Sequence, residues 1–556
     1  MLFHNRDSSF HSTDTAQNSP DSASYHENDK PPSSPSVELV PGQKGRLAGG
    51  KYLKPSTSHH EHFTTLDFDF PLTGTKAIVQ GGKQYILIDY TFGDKENPFN
   101  WSPWKKALVS GLLCLMTLFI GLATTAYSSG ITRMCADLGV SLELGQLGLF
   151  TFNMTCALAP LFLAPFCELA GRRIVYAGAY VGFSIMFIGL ALGKNIATIL
   201  VCRALLGLFG CVGTILVGGT FGDMYHPEDR AIPMASFSYV AILGTVAAPI
   251  YAGFIDETIG WRWIEGIQGL ANIPLMVIIV FFFPETRGSM MLSKRAKILR
   301  SKTGDQRYVA LNDLEAPNLK RMLYNSSVKA VKMLITEPVV FFFGLWISFA
   351  WFLTFLFLSV IPITYEEKKG WSEGVAGLPY IALCIGTTLG FMMHFLQIHK
   401  YNTVHKDKTD EEMRPEARLY GVMFGAVALP IGLFIYSFTQ YAYVHWIGPM
   451  IGLGLITFGI FFIFESCYSF TSDCYGETSS SAIAGQGFMR NTLGAVSPLF
   501  ASQFFHNVGS QYAGLILSII AAFLTAIPYV LFVYGPAIRS RSKLASVPRR
   551  RPSSGL

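Results

Sequence analysis

Four ionisable residues stand within or beside long apolar stretches of this chain: Arg203, Glu465, Asp473 and Arg490. A charge held away from water is costly unless it is paired or faces a wet cavity, so such side chains are candidates for binding a charged solute or moving a proton. Arg203 brings a fixed positive charge that can hold an anionic group or favour proton release from a nearby acid. A second reading leaves it snorkelling to the nearer membrane interface. Glu465 and Arg490 allow three readings: binding solute, carrying a proton, or pairing with each other. Asp473 is a further acid for the proton role. His394 lies close to the end of its apolar run, which suits an interfacial place better than a relay. Tyr127, Gln268, Trp346, Trp351 and Phe352 are candidates to line a cavity, although aromatics in such runs more often pack or anchor.

Enzyme chemistry finds no parts to work with. The nine cysteines lie mostly inside apolar runs, without close pairs or metal-ligand spacing, and read as buried apolar fillers. There is no phosphate-binding Gly-rich loop with its Lys, no His-rich metal motif and no Gly-x-Ser-x-Gly turn. No cofactor, metal or catalytic residue is expected. The expected partners are a small-molecule substrate, protons and membrane lipid, with no nucleic acid and a monomeric state.

The elements that must position these residues follow from composition. Half of the 556 residues are hydrophobic and 14% are charged, against about 25% charged in soluble domains. A bilayer core of roughly 30 Å needs about 20 apolar residues per helix. By that test helices are expected near Lys105 to Tyr127, Gln146 to Phe166, Arg173 to Gly193, Ile196 to Gly219, Pro233 to Phe254 and Arg262 to Phe283. A second set is expected near Val339 to Ile363, Glu373 to Gln397, Arg418 to Phe438, Tyr443 to Tyr468, Ser479 to Phe505 and Tyr512 to Tyr534. The polar, basic stretch at 284–338 divides the two sets as a linker. This gives five units: a disordered tail at 1–104, a bundle at 105–283, the linker, a bundle at 339–534 and a short tail at 535–556.

The net charge of +6 reflects topology rather than nucleic acid. Arg172, Arg173, Arg230, the basic residues between Arg287 and Lys332, and then Lys400, Lys406, Lys408 and Arg414 all fall on one side. The other side has Arg133, Lys194, Arg262, Lys368 and Lys369, an asymmetry that places both termini in the cytoplasm. No apolar run follows Met1, so the first membrane helix is expected to direct targeting. The sequons at Asn100, Asn153 and Asn325 fall on the cytoplasmic side or inside a helix and should stay unmodified.

Three stretches carry a resemblance. Ala164-Pro-Phe-Cys-Glu168-Leu-Ala-Gly171-Arg172-Arg173 resembles the loop signature of the major facilitator superfamily, with Ala164, Glu168 and Leu169 departing from its usual residues. Its acid and Arg pair would latch the cytoplasmic side by ion pairs to the other half. Arg203-x-x-x-Gly207 resembles the family's fourth-helix motif. Gly244-Thr-Val-Ala-Ala248-Pro249-Ile-Tyr-Ala252-Gly253 resembles the fifth-helix signature of its antiporters, with Ala248 and Ala252 in place of two glycines. Small residues let a neighbouring backbone approach, and Pro249 frees one hydrogen bond and bends the helix, which suits a gating pair.

With Asn97-Pro-Phe-Asn100-Trp-Ser, Gly260-Trp-Arg-Trp, Pro284-Glu-Thr and the Tyr475 to Phe500 region, the chain is similar to the fungal twelve-helix drug:proton antiporter group from Asp94 to Lys543. The resemblance implies an all-α membrane protein of two six-helix bundles around a central cavity. It also implies proton-coupled export of drugs, toxins, secondary metabolites, polyamines or organic acids across the plasma membrane, or the vacuolar membrane. A facilitator or importer of the same superfamily, a non-transporting nutrient sensor and an integral membrane transferase are the other readings. Transport indifferent to an imposed pH gradient, signalling without flux, and clustered His and Asp at a membrane face would mark them in turn.

Overall fold

The apolar runs fold as helices because their backbone groups have no water to bond and must satisfy one another. The computed structural model describes residues 75–544, apart from 81–82, 92, 227–228, 315–318, 406–414 and 543. The expectations for residues 1–74 and for Lys406, Lys408 and Arg414 lie outside the described residues. A short hairpin, β1 (Thr75–Gln80) and β2 (Lys83–Ile88), precedes the first bundle. That bundle comprises α1 (Pro103–Ala126), α2 (Leu142–Ala170), α3 (Arg172–Leu192), α4 (Ile196–Met224), α5 (Ala231–Ile259) and α6 (Trp261–Phe282). The linker holds α7 (Gly288–Thr303), β3 (Tyr308–Ala310) and α8 (Leu319–Thr336). The second bundle comprises α9 (Pro338–Glu367), α10 (Glu373–Lys400), α11 (Pro415–Thr439), α12 (Ile447–Tyr475), α13 (Ser479–Val508) and α14 (Ser510–Ser540).

Among the described residues, eleven of these helices are long and apolar enough to cross a membrane, and α13 is the one expected span that is not. At 30 residues it has the length, but Gln486, Arg490, Asn491 and Ser497 dilute its hydropathy. The helix packs chiefly on α9 and α2, and those four residues are buried. A helix sheathed by protein instead of lipid can keep polar groups.

Local chemistry sets the boundaries. Ser102, with Pro103 behind it, caps α1, and Asn195 accepts the Thr198 amide at 2.8 Å to start α4. The α2–α3 and α5–α6 turns each pass through one glycine, Gly171 at φ 89° and Gly260 at φ 94°. Side chains rarely adopt that backbone region, and it lets two helices meet without a loop. α4 widens into a π turn at Val212–Leu216, and the Gly213 carbonyl there accepts the Thr117 hydroxyl of α1 at 2.6 Å.

The two large buried cores lie one in each bundle, and α5 lends Ile242 and Val246 to the second. The tail expectation needs correction. β1 pairs antiparallel with β2, β2 pairs parallel with β3 of the linker, and Arg295 of α7 holds Asp94 at 2.7 Å and Glu96 at 2.6 Å. The described residues between 75 and 104 therefore form a folded segment. β2 gains its second partner because the linker returns from more than two hundred residues away.

Candidate functional site

A cavity lies where the two bundles face each other. From the first bundle it is lined by Thr117, Gly121 and Thr124 of α1, Phe152, Asn153 and Cys156 of α2, Thr214 of α4, and Ala241 and Thr245 of α5. From the second it is lined by Trp351 and Phe355 of α9, Phe464 of α12, and Arg490 and Asn491 of α13. The space between these walls, the solvent open to it included, is about 450 Å³. The wall is apolar and aromatic with scattered hydroxyls and amides, the make-up of a small-molecule site. Thr117, Thr124 and Thr245 each bond a carbonyl one turn back on their own helix, so helix geometry fixes their rotamers.

Arg490 supplies the one charge of this lining. Its Nη1 donates to the Tyr468 hydroxyl at 2.6 Å and its Nε to Asn491 Oδ1 at 3.2 Å. The guanidinium lies 4.8 Å from the Trp351 ring centre and 5.1 Å from that of Phe464. Glu465, one residue on from Phe464, points elsewhere: it accepts the Ser469 hydroxyl at 2.5 Å and stands 3.5 Å from His394. Among the described residues Glu465 and Arg490 do not pair, which removes one of their three readings. His394 is buried against Glu465 inside the second bundle, not at the interface the sequence suggested. Asp473 pairs with Arg418 at 2.9 Å near the end of α12, away from the cavity.

Arg203 does not line the cavity, contrary to expectation. It is 0% exposed within the first bundle, where Nη1 and Nη2 donate to the Ala123 and Thr124 carbonyls at 2.9 Å each. Nε reaches the Gly148 carbonyl at 3.3 Å, and Tyr127 and Phe152 flank the guanidinium. Ala123 and Thr124 belong to the last turn of α1, where the helix tightens into a 3-10 turn at Tyr127–Gly130. The arginine satisfies that helix end and ties α1, α2 and α4 together.

Sequence reading missed Glu265. This residue of α6 is 2% exposed, and among the described residues neither of its carboxyl oxygens has a hydrogen-bond partner and Arg203 is the cation whose field reaches it. An acid two residues after Gly260-Trp-Arg-Trp, at the start of an apolar run, was the available signal. Of the other proposed lining residues, Trp351 alone reaches the cavity. Tyr127 donates to the Gly145 carbonyl at 2.9 Å, Gln268 to Tyr251 at 3.2 Å, Trp346 stacks on Phe343 and Phe352 on Phe349.

The loop motif is built differently from a latch between halves. Arg172 pairs with Asp223 of α4 at 3.0 Å, and the Arg172 and Arg173 amides both donate to Glu285 beyond α6, at 3.0 and 3.1 Å. All three contacts stay beside the first bundle, because Gly171 turns the helix start toward Glu285 rather than toward α9 to α14. The Glu168 side chain lies outside the described residues.

The fifth-helix stretch does reach across. A Cβ on Gly244 would meet the Leu118 carbonyl of α1 at 2.7 Å, whereas one on Gly253 would meet the Glu373 carbonyl of α10 at 2.8 Å. Ala248 and Ala252 are fully buried, and the Pro249 carbonyl lies 2.5 Å from the Cβ position of Gly377. Beside this seam Arg133 stands 3.6 Å from Asp256 of α5 and 3.7 Å from Glu373.

A family model described as Major Facilitator Superfamily matches residues 113–498. The chain is 33% identical to the MFS-type transporter paaT of Penicillium rubens over 469 residues, covering 83% of this chain and 84% of that protein. It is 31% identical over 455 residues to an ascochitine biosynthesis cluster MFS transporter of Didymella fabae, covering 81% and 88%. With the multidrug transporter TPO1_1 of Candida glabrata identity is 30% over 478 residues, covering 85% and 84%.

Proposed function

Since the chain belongs to the major facilitator superfamily, and is a transporter rather than an enzyme, we propose that it exports small organic molecules across the plasma membrane in exchange for protons. The observation that carries this reading is the cavity at the bundle boundary, walled by seven helices drawn from both halves. A site shared between two rigid bundles opens to alternate sides when they rock against each other. Relatives named as an efflux pump, a multidrug transporter and a biosynthesis-cluster transporter favour the outward direction.

The basic face that carries the linker is cytoplasmic in this reading, with both termini on that side. The seam of Gly253 and Glu373 then lies on the outer face and closes it. Glu265 carries the proton. When ionised it has Arg203 as counter-charge, and when protonated it needs none, so a change in the packing of α1, α4 and α6 alters its proton occupancy. A facilitator would share the cavity but respond to no gradient. The test uses inside-out vesicles with the full chain and an acidic interior, offered 2-naphthalenesulfonate, 2-naphthamide or spermidine. Accumulation of any probe that a protonophore abolishes is expected, and equilibration indifferent to the gradient would overturn proton coupling.

A further inference from the structure

We infer that the cavity takes a small organic anion, a carboxylate on a flat apolar body, gripped by Arg490 and Trp351; this deepens the transport reading and rests on it. Among the described lining residues Arg490 carries the one charge, and no carboxylate lines the cavity or pairs with Arg490. Its two hydrogen-bonded acceptors, the Tyr468 hydroxyl and the Asn491 amide oxygen, are neutral. The positive charge is thus oriented but not cancelled, and among the described residues no acceptor bonds Nη2.

The second observation is independent of charge. Trp351 is 7% exposed and lines the same cavity, yet its indole Nε1–H is buried with no acceptor. A buried donor left unmet is a cost to the protein that a ligand oxygen would relieve. The Trp351 ring lies under the Arg490 guanidinium, so the two unmet donors belong to one corner of the cavity. An oxyanion there receives a charge-assisted bond from Arg490 and a neutral one from Trp351. Phe152, Phe355 and Phe464 offer faces for the apolar body.

A cation in this corner would meet Arg490 with no carboxylate to offset the repulsion, which selects against polyamines and cationic drugs. The threonine and asparagine groups are neutral dipoles that can orient a ligand and do not reverse that preference.

The test is equilibrium binding to the full-length protein in detergent, with three probes of one shape: 2-naphthoate, 2-naphthamide and 2-naphthylmethylammonium. A charge-assisted bond in a dry site corresponds to roughly tenfold or more in affinity. We expect naphthoate to bind at least tenfold more tightly than the amide, and the ammonium most weakly. Arg490→Gln should erase the preference for naphthoate, and Arg490→Lys should keep part of it. Trp351→Phe keeps the ring and loses the donor, and should weaken naphthoate about threefold to tenfold while leaving the amide less affected. Equal binding of naphthoate and amide by the wild type, or naphthoate binding unchanged in Arg490→Gln, would overturn the inference. Failure of the two readings is separable. Gradient-driven accumulation of 2-naphthamide with no naphthoate preference sinks the anion site alone, whereas a naphthoate preference without gradient-driven flux of any probe sinks proton coupling alone.

Discussion

Gly253 meets Glu373 backbone to backbone: a Cβ on the glycine would stand 2.8 Å from the Glu373 carbonyl oxygen, across the boundary between the bundles. Any side chain at 253 must push α5 and α10 apart. Gly253→Leu should therefore cut efflux more than tenfold while the protein still reaches the membrane at normal abundance. Surface labelling together with vesicle flux checks this, and normal efflux would show that the seam need not close.

Arg203 is the brace of the first bundle. Gln cannot supply donors to three carbonyls on two helices, and each hydrogen bond made by a charged group contributes about 1.5–3 kcal/mol. Arg203→Gln should lower the melting temperature in detergent and abolish proton-driven flux. Arg203→Lys keeps the charge but loses the planar fork, and should retain partial flux with a smaller fall in melting temperature. Thermal unfolding and flux measured on the same preparations separate the bracing role from the electrostatic one.

The membrane helices were legible because period and length in an apolar run are local properties. The helix α13 fitted that pattern least well, since Gln486 and Arg490 interrupt its apolar run and its neighbours protect them from lipid. The β1–β2–β3 sheet was not, because β3 lies in the linker and pairing at that separation leaves no local pattern. Arg203 and Arg490 drew equal notice as charges in apolar runs, yet helix rotation sends one to the carbonyls of α1 and the other to the cavity. Rotation about a helix axis depends on partners that a single sequence does not display. Glu265 was missed although its signal, an acid in an apolar run, was the same as theirs.

Asp94 and Arg295 tie the entry of α1 to the linker helix α7. Burial works against ionisation of Asp94, but the bonds from Arg295 and from the Glu96 amide outweigh it and hold the carboxyl below its usual value. A depressed folded-state pKa gives stability that is complete above the unfolded value of about 3.9 and is lost as pH falls through the folded value. The clamp is therefore intact at neutral pH. Asp94→Asn should destabilise by roughly 1–3 kcal/mol there, since Arg295 loses its ion pair with Asp94 while the pair with Glu96 remains. The difference between variant and wild type in thermal unfolding should shrink as the pH is brought below about 4.

Glu265→Gln should separate coupling from transport. The amide has nearly the shape of the protonated acid and cannot release a proton, so gradient-driven accumulation should fall to background. Exchange of labelled for unlabelled 2-naphthalenesulfonate at equal pH should continue within about twofold of wild type, since it needs the cavity but no proton cycle. Loss of both activities in folded protein would make Glu265 a structural acid.

The most direct measurement follows the protons themselves. Full-length protein is placed in weakly buffered liposomes enclosing a pH-sensitive dye, and 2-naphthalenesulfonate or 2-naphthamide, neither of which carries a proton across the bilayer, is added outside. The account predicts that entry of a transported probe is matched by proton exit at a fixed ratio, and that empty liposomes and Glu265→Gln give no such signal. Probe entry at the wild-type rate with no proton movement would contradict it.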